Sequence, residues 1–202
     1  MRHGTILLAA CLAAWSPQLC QAQVEVTPFY GYQFSGSFQD EETGEEYDLS
    51  GSACVGGLLD VYVSDISQVE FYYSHQETEL EAGSPFPTSS FFDMDVDYYH
   101  LGGTLLIDDE KWQPFVVGTL GLTHLSPEPS SIRSLTRFSL GFGGGARYFP
   151  TKNLGLYLAG RGLYTFIEGD THIRIESGST TVRIEANGLW QAVFQAGAIF
   201  RF

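Results

Sequence analysis

Residues 124–128 bring together the side-chain types that nucleophilic catalysis requires. His124 and Ser126 are separated by one residue, and Glu128 follows two residues later. Such catalysis needs a hydroxyl, a base and an orienting acid within hydrogen-bond reach of one another. Prolines on both sides of Glu128 place it in a loop, so we interpret the segment as the polar end of a strand. The sequence therefore predicts no catalytic residues and a protein that is not an enzyme.

Neither the histidines nor the acidic residues have the spacing of a metal site. His75 and His100 lack the separation typical of zinc ligands. Six acidic residues lie between Asp40 and Asp48, but they lack the alternating ligand positions of a calcium-binding loop. We therefore predict no metal and no cofactor, and we interpret the acidic run as a solvated loop.

The positions of these residues depend on strands, because alternation with a period of two dominates the chain. The segment 190–202 shows this pattern most clearly. One face carries Trp190, Ala192, Phe194, Ala196, Ala198, Phe200 and Phe202, and the other carries Gln191, Val193, Gln195, Gly197, Ile199 and Arg201. An apolar outside and a partly polar inside are typical of a transmembrane β-barrel strand.

Eight such segments predict an all-β fold, an eight-stranded antiparallel up-and-down transmembrane β-barrel. The predicted strands are 24–34, 49–63, 68–76, 91–107, 112–124, 136–149, 154–167 and 190–202. Their connections alternate between long and short, as in barrels with short periplasmic turns and long outer loops, so we expect both termini in the periplasm. The long connection 168–188 is expected to carry its own hairpin, 171–176 with 180–185. Pro28 cannot donate to a ladder and is expected to cause a bulge in the first strand.

Alternation also places charged side chains inside the barrel. The predicted inward set is Glu25, Asp60, Glu70, Asp95, Asp97, Arg147, Arg161 and Arg201. The interior of an eight-stranded barrel is just wide enough to be filled by side chains, and buried charges must be paired or solvated. We therefore predict a plug of salt bridges with an excess of acids, in which Arg147 and Arg201 neutralise Glu25, Asp60 and Glu70. A narrow ion path through the lumen is the alternative.

The fourth predicted strand distinguishes this barrel from a soluble one. Asp93, Asp95 and Asp97 alternate there with Met94, Val96 and Tyr98. We expect the three aspartates inside and the other three residues, together with Phe92 and Leu106, outside. A soluble lipocalin-like barrel would have the opposite polarity, so this strand argues against that alternative.

The first 22 residues have the organisation of a cleaved secretory signal peptide. A positively charged start precedes an apolar run, 6–15, and residues 19–22 offer a small-residue cleavage site. Residues 23–202 then form one barrel domain, in which Cys54 is the single cysteine and no internal disulfide can form. A formal net charge of −14 disfavours nucleic acid as a partner. No later stretch approaches the roughly 20 apolar residues of a membrane helix.

Several segments rich in glycine and aromatic residues resemble the small outer-membrane β-barrel family of Gram-negative bacteria, typified by the OmpA barrel domain and the opacity-type proteins. They are 28–32, 100–104, 118–121 and 138–145, together with the terminal aromatic strand. The resemblance implies a porin-like protein of the cell outer membrane, and it indicates a location and a fold more than a role. For the role, we expect a structural or surface-interaction one. It also implies contact with outer-membrane lipid and lipopolysaccharide, recognition of Phe202 by the barrel assembly machinery, and loops available to extracellular ligands.

Two alternatives to this role stay open. One is a narrow pore for ions or small solutes. The other is a lipid A-modifying enzyme, because His124 and Ser126 resemble the arrangement in barrel enzymes that deacylate lipid A, although the surrounding residues do not match that family. For the acidic run 40–48, divalent cations that bridge to lipopolysaccharide are an alternative to simple solvation.

Overall fold

The computed structural model describes residues 23–34, 37–39, 46–49, 51–81, 90–107, 111–127, 134–166, 175–177, 180–182 and 188–202. The predicted signal peptide 1–22, the central part of the acidic run and Glu128 lie outside these residues. Every regular element in the described ranges is a β-strand. None of the described residues belongs to a helix long and apolar enough to cross a membrane.

Twelve strands occur in the described part of the chain, eight of them long and four short. The long strands are β1 (Val24–Phe34), β4 (Ser52–Ser64), β5 (Ser67–Glu81), β6 (Ser90–Leu106), β7 (Trp112–Pro127), β8 (Leu135–Tyr148), β9 (Leu154–Phe166) and β12 (Gly188–Arg201). The short strands are β2 (Ser37–Gln39), β3 (Glu46–Leu49), β10 (Ile175–Ser177) and β11 (Thr180–Val182).

The eight long strands form a closed antiparallel barrel, which confirms the predicted fold class. Each long strand pairs with the next one along the chain, and β12 pairs with both β9 and β1. At the closing seam Glu25 lies opposite Arg201, and Phe34 lies opposite Ala192. Closure gives the backbone groups of the first and last strands partners in each other, so no open sheet edge remains along the seam.

The two ends of the barrel differ in the length of their connections, as predicted. Residues 65–66, 107–111 and 149–153 connect strands at the end that also holds Gln23 and Phe202; we call it the short-turn end. Residues 35–51, 82–89, 128–134 and 167–187 connect strands at the opposite end, the long-connection end. The hairpin predicted after the seventh barrel strand is present as β10 paired with β11. The acidic segment predicted as a loop instead carries β2 and β3, which pair with each other.

Side chains alternate between the outside and the inside of the wall, and the predicted facing is confirmed for every barrel strand except β6. Large apolar residues are exposed on the outside, including Tyr30, Phe71, Val116, Leu120, Leu140, Phe142, Leu156, Leu158 and Phe194. Polar residues are buried inside, including Thr27, Gln33, Glu70, Thr123, Ser139, Thr165 and Gln191. This polarity is the reverse of a soluble barrel and is typical of a transmembrane one.

The predicted facing of β6 is wrong. Met94, Val96, Tyr98 and Leu106 are buried inside, whereas Asp93, Asp95 and Asp97 lie on the outside of the wall. Tyr99, Leu101 and Leu105 share the outward row of the aspartates and are exposed. The physical reason is the length of β6, which continues past the apolar belt towards the long-connection end. Carboxylates are expensive against hydrocarbon, so the outside of this extended part faces a polar medium.

The bulge predicted at Pro28 is also absent. Pairing between β1 and β4 runs through Pro28 opposite Gly57 without a change of register. Pairing between β1 and β12 skips Thr27 and Pro28 but resumes in the same register. A proline therefore interrupts part of one ladder without displacing the strand. The register change that does occur in the neighbouring ladder lies between Tyr62 and Ser64, beside a short turn.

Candidate functional site

The interior near the short-turn end holds six charged residues, which we call the ion-pair plug: Glu25, Asp60, Glu70, Arg147, Arg161 and Arg201. Five of them are at most 4% exposed, and the sixth, Arg201, has a side chain that is 14% exposed. With Asp95 and Asp97 outside, the described interior contains three carboxylates and three guanidinium groups in this cluster. The predicted excess of acid inside the barrel is therefore wrong, and the plug is balanced in formal charge.

Glu25 is the central acceptor of the plug. Arg201 Nε donates to Glu25 Oε1 at 2.6 Å, and Arg147 Nη1 donates to Glu25 Oε2 at 2.9 Å. Two neutral groups add hydrogen bonds, from Gln68 Nε2 at 2.9 Å and from the Tyr62 hydroxyl at 3.1 Å. The donors come from β12, β8, β5 and β4, so one carboxylate on β1 joins five strands of the wall.

Glu70 forms a second unit of the plug. Arg161 donates to it through two parallel hydrogen bonds, Nη1 to Oε1 at 2.7 Å and Nη2 to Oε2 at 2.9 Å. The Thr104 hydroxyl donates to Glu70 Oε2 at 3.1 Å, and Arg161 Nη2 also lies 3.0 Å from the Tyr157 hydroxyl. Bidentate pairs of this kind are among the strongest in proteins. The prediction that Arg147 or Arg201 neutralises Glu70 is therefore wrong, because Arg161 does so.

Asp60 differs from the other two acids. Its Oδ2 lies 3.7 Å from Arg147 Nη2, which is an ion-pair distance but too long for a hydrogen bond. Neither carboxyl oxygen has a hydrogen-bond partner in the protein. Arg147 is therefore bonded to Glu25 and only adjacent to Asp60, so the predicted neutralisation of Asp60 by Arg147 is confirmed as an electrostatic contact alone.

Aromatic rings fill the space around the three arginines. The Arg201 guanidinium carbon lies 3.7 Å from the centre of the Phe149 ring, and that of Arg161 lies 4.7 Å from the Tyr72 ring. Arg147 lies 5.1 Å from the Phe115 ring. Cations attract the faces of aromatic rings within about 6 Å. The rings thus pack against the guanidinium groups and stabilise their charge.

His100 lies in the middle of the interior, above the plug. Its Nδ1 is 2.9 Å from Thr119 Oγ1, and its Nε2 is 2.8 Å from Ser139 Oγ. A side chain at Gly141 would clash with Thr119 Oγ1 and place its Cβ 3.0 Å from His100 Nδ1, so this glycine makes room for the pair. Both ring nitrogens are engaged by neutral hydroxyls, and no acid is part of this contact. The arrangement holds the imidazole in place but provides no nucleophile–base–acid series.

Towards the long-connection end the interior becomes neutral and rich in amides. The Tyr98 hydroxyl donates to Gln191 Oε1 across the lumen, and Gln76 Nε2 donates to Ser52 Oγ at 2.8 Å. The hydroxyls of Thr123 and Thr165 are 2.8 Å apart. We call Gln33, Gln76, Gln191 and Tyr98 the amide layer.

The outside of the extended wall carries a second polar group, the outer polar patch: Tyr73, His75, Asp95, Asp97, His124 and Ser126. His75 Nδ1 donates to Asp97 Oδ1 at 2.9 Å, and the Tyr73 hydroxyl donates to the same oxygen at 3.1 Å. In register, His124 lies opposite Asp97, and Ser126 lies opposite Asp95. His124 Nδ1 is 2.8 Å from Thr136 Oγ1 on β8. Within the described ranges no group of three or more histidine, cysteine, aspartate or glutamate side chains could hold a metal ion.

Aromatic side chains cluster on the outside near both ends of the apolar belt. At the short-turn end the Trp112 and Tyr148 rings lie 4.8 Å apart. At the long-connection end Tyr164 is close to both Phe166 and Trp190, with ring centres 4.8 and 6.2 Å apart. Such belts form where a barrel wall crosses the two membrane–water interfaces.

A closed eight-stranded wall with an apolar outside, aromatic belts and a charged, filled interior defines a transmembrane β-barrel. Neither a known protein family nor a curated protein matches the sequence.

Among solved structures, the chain is similar to Neisserial surface protein A, with a TM-score of 0.63 and 14% identity, covering 89% of this chain and 97% of that one. It is similar to the outer membrane protein OprG from Pseudomonas aeruginosa, with a TM-score of 0.62 and 10% identity, covering 90% and 96%. The N-terminal β-barrel domain of OprF from the same organism gives a TM-score of 0.53 and 15% identity, covering 90% and 98%. These likenesses show that the chain has the fold of the small outer-membrane barrels.

Sequence reasoning missed the neutral partners of the plug. Tyr62, Gln68 and Thr104 all donate hydrogen bonds to its carboxylates. Tyr62 lies two residues from inward Asp60 on β4, and Gln68 lies two residues from inward Glu70 on β5. Thr104 lies four residues from buried His100 on β6, so all three occupy inward positions of their strands. Polar residues at inward positions near the short turns were therefore the available signal.

Proposed function

We propose that this chain is an integral outer-membrane β-barrel with a structural or surface-interaction role and a lumen closed by the ion-pair plug. The exposed apolar belt, its two aromatic borders and the fold shared with outer-membrane barrels support the location. The plug supports the closed lumen, because six charged side chains and three aromatic rings occupy an interior that is just wide enough for side chains. The bidentate pair of Arg161 with Glu70 is the single observation that carries this proposal.

The proposed orientation has the short-turn end and both termini in the periplasm. Short periplasmic turns and longer outer connections are the usual asymmetry of such barrels. In this orientation Phe202 would be available to the assembly machinery on the periplasmic side. The outer polar patch would lie at the level of the lipopolysaccharide headgroups, and residues 35–51 and 167–187 would be available to extracellular ligands.

Labelling of intact cells with a membrane-impermeant maleimide tests the orientation. In a Cys54→Ser background, Asp93→Cys lies at the long-connection end and Lys152→Cys lies in a short turn, and both positions are exposed. We expect Asp93→Cys to be labelled on intact cells and Lys152→Cys only after lysis. The reverse result would place the termini outside and contradict the proposed orientation.

Deletion of the gene and complementation test the role. We expect the deletion strain to become more sensitive to detergent or to lose binding to a surface, with normal uptake of small solutes. The deletion strain is complemented with the intact chain and with a variant in which a short turn replaces 167–187. Comparing the two phenotypes separates the contribution of the barrel from that of its longest connection. A strain with an unaltered envelope but defective solute uptake would contradict the proposal in favour of a pore.

We infer that the outer polar patch is not a hydrolytic site. The outward facing of Asp95 and Asp97 places acids beside His124 and Ser126, which is the observation that favours a lipid-modifying enzyme. However, His124 Nδ1 is engaged by Thr136, and Asp97 accepts from His75 and Tyr73. Purified protein incubated with lipid A should release no fatty acid. Release that disappears in Ser126→Ala would contradict this inference.

A further inference from the structure

Four residues on the outside of the extended wall form one row across four neighbouring strands, which we call the histidine row. His75 on β5 lies opposite Asp97 on β6, and Asp97 lies opposite His124 on β7. His124 lies opposite Thr136 on β8 and is 2.8 Å from its hydroxyl through Nδ1. Opposite residues of an antiparallel ladder have their Cβ atoms about 5 Å apart. The single carboxylate of the row therefore has an imidazole on each side.

The histidine row separates an apolar row from an acidic one. On the side of the belt lies a row in which each residue is opposite the next: Tyr73, Tyr99, Leu122 and Phe138. On the other side Glu77 lies opposite Asp95, and Asp95 lies opposite Ser126. Like charges directly opposite each other destabilise a ladder. The extended wall thus carries two acidic side chains face to face beside the histidine row.

His75 faces acids through both of its ring nitrogens. Its Nδ1 is 2.9 Å from Asp97 Oδ1, and its Nε2 is 3.9 Å from Glu77 Oε1. The side chains of His75 and Asp97 are 30% and 16% exposed, so protons from the solvent reach the pair. An imidazole between two carboxylates is more favourable when it is charged.

The other groups around the two imidazoles do not cancel this effect. On β4, Val55 lies opposite His75 and carries no charge. On β8 the Arg137 guanidinium donates to Thr136 O at 3.2 Å, beside His124. The described side chains nearest to the two imidazoles also include the phenols of Tyr73 and Tyr99 and the carboxylates of Glu77, Asp95 and Asp97. Three carboxylates therefore face the two imidazoles against one guanidinium group.

We propose that the histidine row is a proton-operated clasp that holds together the extended parts of β5, β6 and β7. With neutral imidazoles, the carboxylate of the row adds to the repulsion in the acidic row. With both imidazoles protonated, the charges alternate along the row, and opposite charges across a ladder stabilise it. Such protonation contributes stability below the histidine titration range, and the contribution is lost as the pH rises through that range. The clasp depends on the register of these strands and not on which end of the barrel faces outwards.

Amide hydrogen exchange of the full chain refolded in lipid nanodiscs tests the clasp. Measurements at about pH 7.5 and about pH 5.5 span the titration of histidine while carboxylates with ordinary pKa values stay ionised. After correction for the intrinsic pH dependence of exchange, protection of amides 74–77 and 95–98 should rise about two- to fivefold at the lower pH, the factor that an opposite-charge pair across a ladder supplies. Amides 163–165 and 189–191, on β9 and β12, are the internal control and should not change. Unchanged or reduced protection on β5 and β6 would overturn the proposal.

Two variants identify the groups that take up the protons. His75→Gln combined with His124→Gln keeps polar side chains in the row but removes both imidazoles, and the rise in protection should disappear. Ser126→Ala changes a neighbouring outward side chain that does not titrate, and the rise should persist. A rise that survives in the double histidine variant would assign the effect to the carboxylates and overturn the proposal.

Discussion

Glu25 and Arg201 are 176 residues apart in the chain, yet Arg201 Nε donates to Glu25 Oε1 at 2.6 Å. The two residues face each other across the seam between the first and the last barrel strand. Phe202 N donates to Val24 O at 2.9 Å beside them, so backbone and side chains fix the same register. This contact links barrel closure to the ion-pair plug, because Glu25 also accepts from Arg147.

Arg201→Ala should lower the midpoint of urea unfolding in lipid. Removing one partner of a buried pair leaves the other charge uncompensated, and we expect a loss of about 3 kcal/mol, at the low end of the usual range because Glu25 keeps Arg147. Lys152→Ala, which removes an exposed cation at the same end of the barrel, is the matched control and should change the midpoint little. Adding Glu25→Gln to Arg201→Ala should recover part of the loss. Equal midpoints for Arg201→Ala and Lys152→Ala would refute the contribution of the pair.

Glu70→Gln should destabilise the barrel by about 3–5 kcal/mol, since it leaves the Arg161 guanidinium buried without its bidentate acceptor. Thr104→Val removes a single hydrogen bond to the same carboxylate and should cost only about 1 kcal/mol. Combining Glu70→Gln with Arg161→Met should be less harmful than Glu70→Gln alone. Additive losses in the double variant, measured by unfolding in the same lipid, would show that the two residues do not act as a pair.

Cysteine accessibility tests the facing of β6. In a Cys54→Ser background we expect Asp95→Cys to react with a water-soluble maleimide and Val96→Cys to remain unlabelled. Asp95 lies on the outside of the wall beyond the apolar belt, whereas Val96 is 0% exposed. The opposite reactivity would restore the facing predicted from the sequence.

The error on β6 shows where alternation is informative. Within the apolar belt, apolar residues face outwards and polar residues face inwards, as expected where the wall contacts lipid. Leu101 and Leu105 are exposed there, and His100 and Thr104 are buried. Beyond the belt the outside is polar, so Asp93, Asp95 and Asp97 take the outward row and the apolar residues fill the interior. The sequence pattern reverses along one strand without a change of register. Leu105 lies in the apolar belt and faces outwards. Counting every second residue from Leu105 back to Asp93 would have assigned all of these positions correctly.

All six members of the plug were predicted as inward residues, and the predicted pairing of Glu25 with Arg201 and Arg147 is confirmed. The partner of Glu70 was not predicted correctly. Period two identifies Glu25, Glu70 and Arg161 as inward residues, because the rule depends only on local strand geometry. Which guanidinium reaches which carboxylate depends on strand tilt and on side-chain length across the lumen. Arg161 and Glu70 lie on strands that are not neighbours in the wall, so no local pattern encodes their contact.

The pKa of His75 should be raised above its ordinary value. His75 lies beyond the exposed row of Tyr73 and Tyr99, outside the membrane-spanning part of the wall, and its hydrogen bond with Asp97 raises the pKa of the imidazole. A raised pKa means that this pair stabilises the fold below the ordinary histidine pKa and that its contribution is lost as the pH rises through the raised value. Titration of the ring protons by nuclear magnetic resonance should give a lower pKa in Asp97→Asn. An identical titration curve in that variant would contradict the contact.

Single-channel recording of the refolded protein in a planar bilayer tests the closed lumen most directly. The unsubstituted barrel should insert without stepwise current, because the four ion pairs of the plug and the rings around them occupy the lumen. Glu70→Ala combined with Arg161→Ala removes the bidentate unit while leaving Glu25 and Arg201 in place, and it should produce resolvable conductance steps. Stepwise current through the unsubstituted protein, at a size equal to that of the double variant, would contradict the account.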